Sequence, residues 1–229
     1  MKLPFLISVP HAGLVVPPEV EDICVLTERQ IIEDGDEGAS EIYDIADEVV
    51  QYVTTSIARA VVDVNRAEND RRADGVVKTH TCWSVPVYSE SPSEETVEKL
   101  LEAYYRPYHQ RLSESGAGIM LGIDCHTMAS KAPPIGPDPG SIRPYICLSN
   151  ADGTCSPEWL QALARSFQKT FGVPVAVNDP FKGGYIVRTH AGEIPWIQLE
   201  LSRAPFATNA EKRANVLDAL GDWLREALS

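Results

Sequence analysis

Short apolar runs rich in β-branched residues alternate along the chain with longer amphipathic segments. The runs span residues 3–9, 57–64, 119–125, 144–148, 173–177, 184–188 and 195–201. Each has the length of a strand, and several are apolar nearly throughout, as strands covered on both faces are. Helices are predicted at about 27–53, 93–115, 156–171 and 208–228. Ser156-Pro157-Glu158 supplies an N-cap, a proline at the first helical position and an early acid. Ser91 with Glu94, and Thr208 with Glu211, have capping-box spacing. The alternation predicts an α/β fold, a mixed and mostly parallel sheet sandwiched in three layers by helices. Residues 67–91 and 130–143 are long, polar and rich in Pro or Gly, and loops of that length are usually functional. No repeat or linker divides the chain, so residues 1–229 are expected to form one domain.

At 229 residues a domain buries enough surface to need no structural metal or disulfide, so any metal site here has to be argued as catalytic. The composition, 44% hydrophobic and 23% charged, is that of a globular protein. Five scattered cysteines without a C-x-x-C pair point to reduced thiols and a cytoplasmic location. The apolar run at the N-terminus is too short for a signal-peptide core or a membrane span. A net charge of −13 argues against nucleic acid or an anionic membrane as partner. It leaves room for a small anionic substrate, because a local arginine pocket overrides bulk charge.

Ligands of open α/β sheets bind beyond the carboxyl ends of the strands, so the residues following each run matter most. The first run leads to His11, and the second ends in Asp63-Val64-Asn65-Arg66. The third delivers Asp124-Cys125-His126, and the last carries Glu200 between two leucines. One histidine near a strand end is usually structural; two at such ends suit a zinc site of three protein ligands and a water. The third ligand is open among Asp34, Asp36 and Glu37, whose plain alternative is a solvated helix face. Asp124 lies two residues before His126, on the same strand face, where a carboxylate can orient the imidazole. Glu200 shares a face with Gln198 and Ser202. A carboxylate in so apolar a run suggests a general base, against the alternative of an exposed edge strand. Arg66 suits bidentate carboxylate recognition, and Lys182-Gly183-Gly184-Tyr185 precedes Arg188 without P-loop spacing. Cys125 and His126 point to opposite faces, which disfavours a cysteine nucleophile.

Six segments, in order, resemble the N-formylglutamate amidohydrolase family: Ser8-Val9-Pro10-His11-Ala12-Gly13, Asp34-Gly35-Asp36 with Ile42-Tyr43, Val62-Asp63-Val64-Asn65-Arg66, Asp124-Cys125-His126-Thr127-Met128, Phe181-Lys182-Gly183-Gly184-Tyr185-Ile186 and Gln198-Leu199-Glu200-Leu201. The resemblance implies a phosphorylase/hydrolase-like fold, similar to zinc carboxypeptidases and the aspartoacylase group. It also implies one Zn2+, or another divalent metal, held by His11, Asp36 and His126, with Glu200 as general base. Asn65 and Arg66 are implied to bind the substrate carboxylate, Arg188 likewise, and Tyr185 is implied to be a further substrate-binding residue. The implied reaction is hydrolysis of N-formyl-L-glutamate to formate and L-glutamate. Hydrolysis of another N-acyl amino acid or a γ-glutamyl peptide is the nearest alternative, and a non-catalytic metal- or carboxylate-binding protein is an alternative of another class. The H-x-x-E ligand pattern of the carboxypeptidase-like groups is broken here by Leu14.

Overall fold

The computed structural model describes residues 2–114 and 116–227. Its strands are β1 (Leu3–Val9), β2 (Val49–Thr54), β3 (Leu121–Met128), β4 (Ile146–Ser149), β5 (Val175–Val177) and β6 (Trp196–Ser202). They form one sheet in the order β2-β1-β3-β6-β4-β5. Every pairing is parallel except β4 against β6. The helices are α1 (Glu28–Asp34), α2 (Ala39–Ile42), α3 (Glu94–Leu100), α4 (Arg106–Ser113), α5 (Pro157–Phe171), α6 (Tyr185–His190) and α7 (Asn209–Ala227), with a π turn at Leu101–Tyr105 joining α3 to α4. The expected mixed, mostly parallel α/β architecture is present.

Period-two alternation divides the sheet into two faces. Phe5, Ile7 and Val9 of β1, Ile123 and Cys125 of β3, and Ile197, Leu199 and Leu201 of β6 pack into one layer with α2, α5 and α7. Leu6 and Trp196 face the other layer, against Leu100, Leu101, Tyr105, Tyr108 and Leu112 of the α3–α4 segment. At the carboxyl ends of β1, β3 and β6 this second face turns polar: Ser8, Asp124, His126, Gln198, Glu200 and Ser202 are all buried.

Several expected boundaries are corrected. Residues 57–64 are not a strand. They turn on themselves, with Val61 N and Val62 N donating to Ala58 O, and their apolar side chains fill the second layer. The run is apolar because it is core. The strand is β2, which overlaps the end of the predicted helix 27–53; that helix survives only as α1 and α2. Residues 184–188 form the start of α6 instead of a strand, because Asn65 Oδ1 accepts the Ile186 N–H at 2.8 Å and so caps this short helix from another part of the chain. α3 is capped by Ser93, whose side chain accepts from Thr96 N, and not by Ser91. Thr208 and Glu211 do exchange capping-box bonds. Residues 115 and 228, predicted as helix ends, lie outside the described residues. Residues 67–91 and 130–143 hold no helix or strand among the described elements, as expected. No described helix is long and apolar enough to cross a membrane.

Candidate active site

His11 follows β1 directly, and the turn after α1 is tied to it by Asp36 N donating to His11 O at 3.0 Å. In the parallel register Asp124 lies beside Gln198, and His126 beside Glu200. Three elements therefore bring His11, Asp36 and His126 together, with one ligand atom from each lying within 4.8 Å of the others. All three residues are buried.

The far nitrogen of each imidazole is held by a carboxylate. His11 Nε2 lies 2.8 Å from Asp63 Oδ1, and His126 Nε2 lies 2.8 Å from Asp124 Oδ2. Ser8 Oγ donates to the other oxygen of Asp124 at 2.8 Å, which fixes that carboxylate in turn. Both Nδ1 atoms are left facing Asp36 Oδ2, His126 at 3.0 Å and His11 at 3.7 Å. The buried His11 Nδ1 has no hydrogen-bond partner among the described residues. An orphaned buried nitrogen is costly unless something else binds it.

These features fit a metal ion. Two ligand atoms of a tetrahedral zinc, at bond lengths of about 2.0–2.1 Å, stand roughly 3.3 Å apart. The two Nδ1–Oδ2 separations straddle that value. Carboxylates orienting the non-ligating nitrogen are the usual outer shell of histidine ligands. The local field also favours a cation. Burial alone would lower the His126 pKa, but Asp124, Asp36 and Glu200 together hold it well above its ordinary value. Burial would raise Asp36, yet His11 and His126 hold it well below the carboxylate range.

Of the three acids left open by sequence, Asp36 is the one beside both imidazoles. Asp34 turns away, accepting from Lys78 Nζ at 2.9 Å and from Cys82 N at 2.7 Å. Glu37 is exposed.

Glu200 is buried in the interior strand β6, so the exposed-edge alternative is excluded. Gln198 Nε2 donates to Glu200 Oε1 at 2.8 Å, while Gln198 Oε1 accepts from Gly184 N at 2.5 Å. The backbone donor fixes which way the amide points. Burial pushes the Glu200 carboxyl up to about 7, against the attraction of His126. His11, Asp36, His126, Glu200, Asn65 and Arg66 all line one cavity of about 240 Å³. Ligand cavities for drug-sized molecules start at about 300 Å³, so this one suits a small molecule.

Other expectations need correction. Arg188 and Tyr185 do not line this cavity. Arg188 is exposed and donates to Gly183 O at 3.2 Å and Lys182 O at 3.3 Å, bracing the glycine loop from outside. Tyr185 packs edge-on against His109 in the second layer. Asn65 is committed within the protein: Nδ2 lies 3.2 Å from Asp124 Oδ2 and Oδ1 caps α6. Arg66 lines the cavity and donates to Asn65 O and Asp74 O.

Sequence reasoning missed Arg59. Its Nε donates to Asp63 Oδ2 at 3.0 Å and its Nη1 lies 3.5 Å from Asp36 Oδ1, tying the two carboxylates together. The signal was present: a lone charge inside an apolar run, as at Glu200. Asp63 was noticed only by position. Arg143 and Lys78, which also line the cavity, come from the long polar segments that had no periodicity to reveal their folding, and Arg203, which directly follows β6, was passed over.

A family model described as N-formylglutamate amidohydrolase matches residues 3–207. An N-formylglutamate deformylase of Pseudomonas aeruginosa is 29% identical over 252 residues, covering 99% of this chain and 92% of that protein. One of Pseudomonas putida is 29% identical over 228 residues, covering 92% and 84%. In fold the chain is similar to the crystal structure of N-formylglutamate amidohydrolase from Ralstonia eutropha, with a TM-score of 0.78, 20% identity and coverage of 99% and 94%. It is equally similar to that of a gene product of Agrobacterium tumefaciens, with a TM-score of 0.77, 17% identity and coverage of 99% and 91%.

Proposed function

The chain belongs to the N-formylglutamate amidohydrolase family, and on that footing we propose that it hydrolyses N-formyl-L-glutamate to formate and L-glutamate with the aid of a divalent metal ion, zinc by preference. The relatives named deformylases support the substrate. The observation that carries the chemistry is the convergence of His11 Nδ1, Asp36 and His126 Nδ1 beside the buried Glu200. Two imidazoles and a carboxylate suit zinc and leave a coordination position open.

His11, Asp36 and His126 would hold the ion, and Asp63 and Asp124 keep the Nδ1 atoms of the imidazoles turned toward that position. A metal ion held there would supply Lewis acidity, the chemistry that lowers the pKa of a water and polarises a carbonyl. Glu200 takes a proton from the attacking water as the water oxygen bonds to the formyl carbon, then gives it to the departing amine nitrogen as the C–N bond breaks. A carboxyl with a pKa raised by burial is suited to both transfers. Gln198 keeps one Glu200 oxygen engaged, so the other is the one available to the water.

Arg66 is assigned to the substrate α-carboxylate. Asn65 is assigned to positioning, because its amide is spent on Asp124 and on α6. Arg188 and Tyr185 act through the loop and layer they brace. Five free cysteines support a reducing, cytoplasmic setting.

A substrate panel tests the reading: N-formyl-L-glutamate, N-acetyl-L-glutamate, N-formyl-L-leucine and a γ-glutamyl dipeptide. The formyl glutamate is expected to turn over fastest. Preference for any of the others would redirect the assignment to that acyl or amino acid group.

A further inference from the structure

Among the described residues, six basic side chains line the cavity: Arg59, Arg66, Lys78, Arg143, Lys182 and Arg203. Five are matched by carboxylates of the protein. Arg59 pairs with Asp63 at 3.0 Å, Lys78 with Asp34 at 2.9 Å and Arg143 with Asp138 at 2.8 Å. Arg66 lies 3.6 Å from Asp63, and Arg203 lies 3.8 Å from Asp36. The Lys182 ammonium alone has no ion pair or hydrogen bond among the described residues. Lys182 is an exposed lining residue, and no carboxylate of the described residues lies within ion-pair distance of its ammonium. Arg59, Lys78 and Arg143 are matched at hydrogen-bond distance and have little left to offer a ligand. Arg66, whose nearest carboxylate oxygen is 3.6 Å away, keeps donor capacity, and the unmatched Lys182 keeps its attraction for an anion.

The backbone carrying Lys182 is held firmly. Gly184 N is bonded to Gln198, and Arg188 donates to the carbonyls of Lys182 and Gly183. Phe181 lies under the Arg143 guanidinium, 4.7 Å from its ring centre. Gly183 has φ +101°, a left-handed conformation open to glycine, and a Cβ there would stand 2.8 Å from that of Ala151. A flexible charge on a fixed mount recognises one end of a ligand whose other end is bound elsewhere.

We propose that Lys182 is the specificity-determining residue of this cavity, its ammonium pairing with the side-chain carboxylate of a dianionic N-acyl amino acid. The inference rests on the hydrolase reading for its substrate and deepens it. Arg66 takes the carboxylate every amino acid has, and Lys182 takes the one that marks an acidic side chain.

The test compares wild type, Lys182→Met and Lys182→Arg on N-formyl-L-glutamate and its neutral near-isostere N-formyl-L-glutamine. The ratio of kcat/KM, acid over amide, is expected to fall at least about tenfold in Lys182→Met, the value of a charge-assisted hydrogen bond. It is expected to persist in Lys182→Arg, and the loss should appear mainly in KM. An unchanged ratio in Lys182→Met would overturn the proposal. Glutarate binding, followed by calorimetry on the same proteins, is expected to weaken by a similar factor. If wild type releases no formate from either compound, the hydrolase reading fails by itself. The glutarate comparison then decides Lys182: weaker binding in Lys182→Met supports its role as a dicarboxylate anchor, and equal binding removes it.

Discussion

His126 presents Nδ1 to Asp36 because Asp124, two residues earlier on the same strand face, holds Nε2 at 2.8 Å. Asp63 does the same for His11 from a different segment. The two imidazoles are thus fixed in tautomer and direction before any ion arrives, and the ligand set is preorganised. Each carboxylate is itself secured, Asp124 by Ser8 and Asn65, Asp63 by Arg59.

Replacing Asp124 by Asn should therefore weaken metal binding without removing a ligand. A loss of roughly 10- to 100-fold in affinity is expected, as for other outer-shell partners of metal-bound histidine. Titration of the apoprotein against a chelating indicator measures it. Affinity equal to wild type would show that Asp124 plays no orienting part.

Glu200→Gln keeps the shape and the bond from Gln198 but removes the proton acceptor. Turnover should drop by at least about 100-fold, the usual worth of a general base, with metal content unchanged by elemental analysis. Near-normal turnover in a metal-loaded variant would contradict the role assigned to Glu200.

Gly184 stands where a Cβ would come within 2.5 Å of the Asn65 amide. Gly184→Ala should push Asn65 off Asp124 and loosen the start of α6. Overpacking of this kind costs about 1–3 kcal/mol. A lower melting temperature together with weaker metal binding is the expected pair of effects; stability loss with full metal affinity would separate Asn65 from the site.

Away from the site, His109 donates from Nε2 to Val64 O at 2.9 Å, and its Nδ1 lies 2.9 Å from His190 Nε2. Burial and the neighbouring His190 lower its pKa to about 4, against roughly 6.5 for the unfolded chain. Below about pH 6.5 the unfolded state binds a proton that the folded state refuses, so stability falls as pH drops toward 4. Between pH 7 and 5 this amounts to about 2 kcal/mol. Thermal melts at those two pH values should show a smaller acid-induced drop in His109→Gln than in wild type. Equal drops would mean that His109 titrates alike in both states.

The strands of the sheet centre were legible because burial on both faces demands long apolar runs, and β1, β3 and β6 are such runs. β2 was hidden. It lies at the sheet edge, where Val49 and Val53 are buried but Val50 is exposed, so its pattern merges with the preceding amphipathic helices. Residues 57–64 and α6 misled for one reason: a short apolar run says that a segment is core and does not say which backbone form it takes. The polar residues His11, Arg66, His126 and Glu200 were found by their place at apolar runs, and all four line one cavity; Asp36, in the turn after α1, was singled out only by the family resemblance. What could not be read was pairing across distant segments. Only the folded chain shows that Asn65 serves Asp124, that Arg188 braces a loop from outside, and that Lys182 has no ion pair among the described residues while the five other lining cations each have a carboxylate oxygen within 3.8 Å.

The central claim is metal-assisted hydrolysis at the His11–Asp36–His126 cluster. Its most direct test is formate release from N-formyl-L-glutamate by the purified protein, before and after removal of metal by a chelator and again after zinc is returned. The account predicts release that is lost with the metal and restored by zinc, with neither restoration nor stoichiometric zinc binding in His126→Ala. Full activity in the metal-free protein would contradict it.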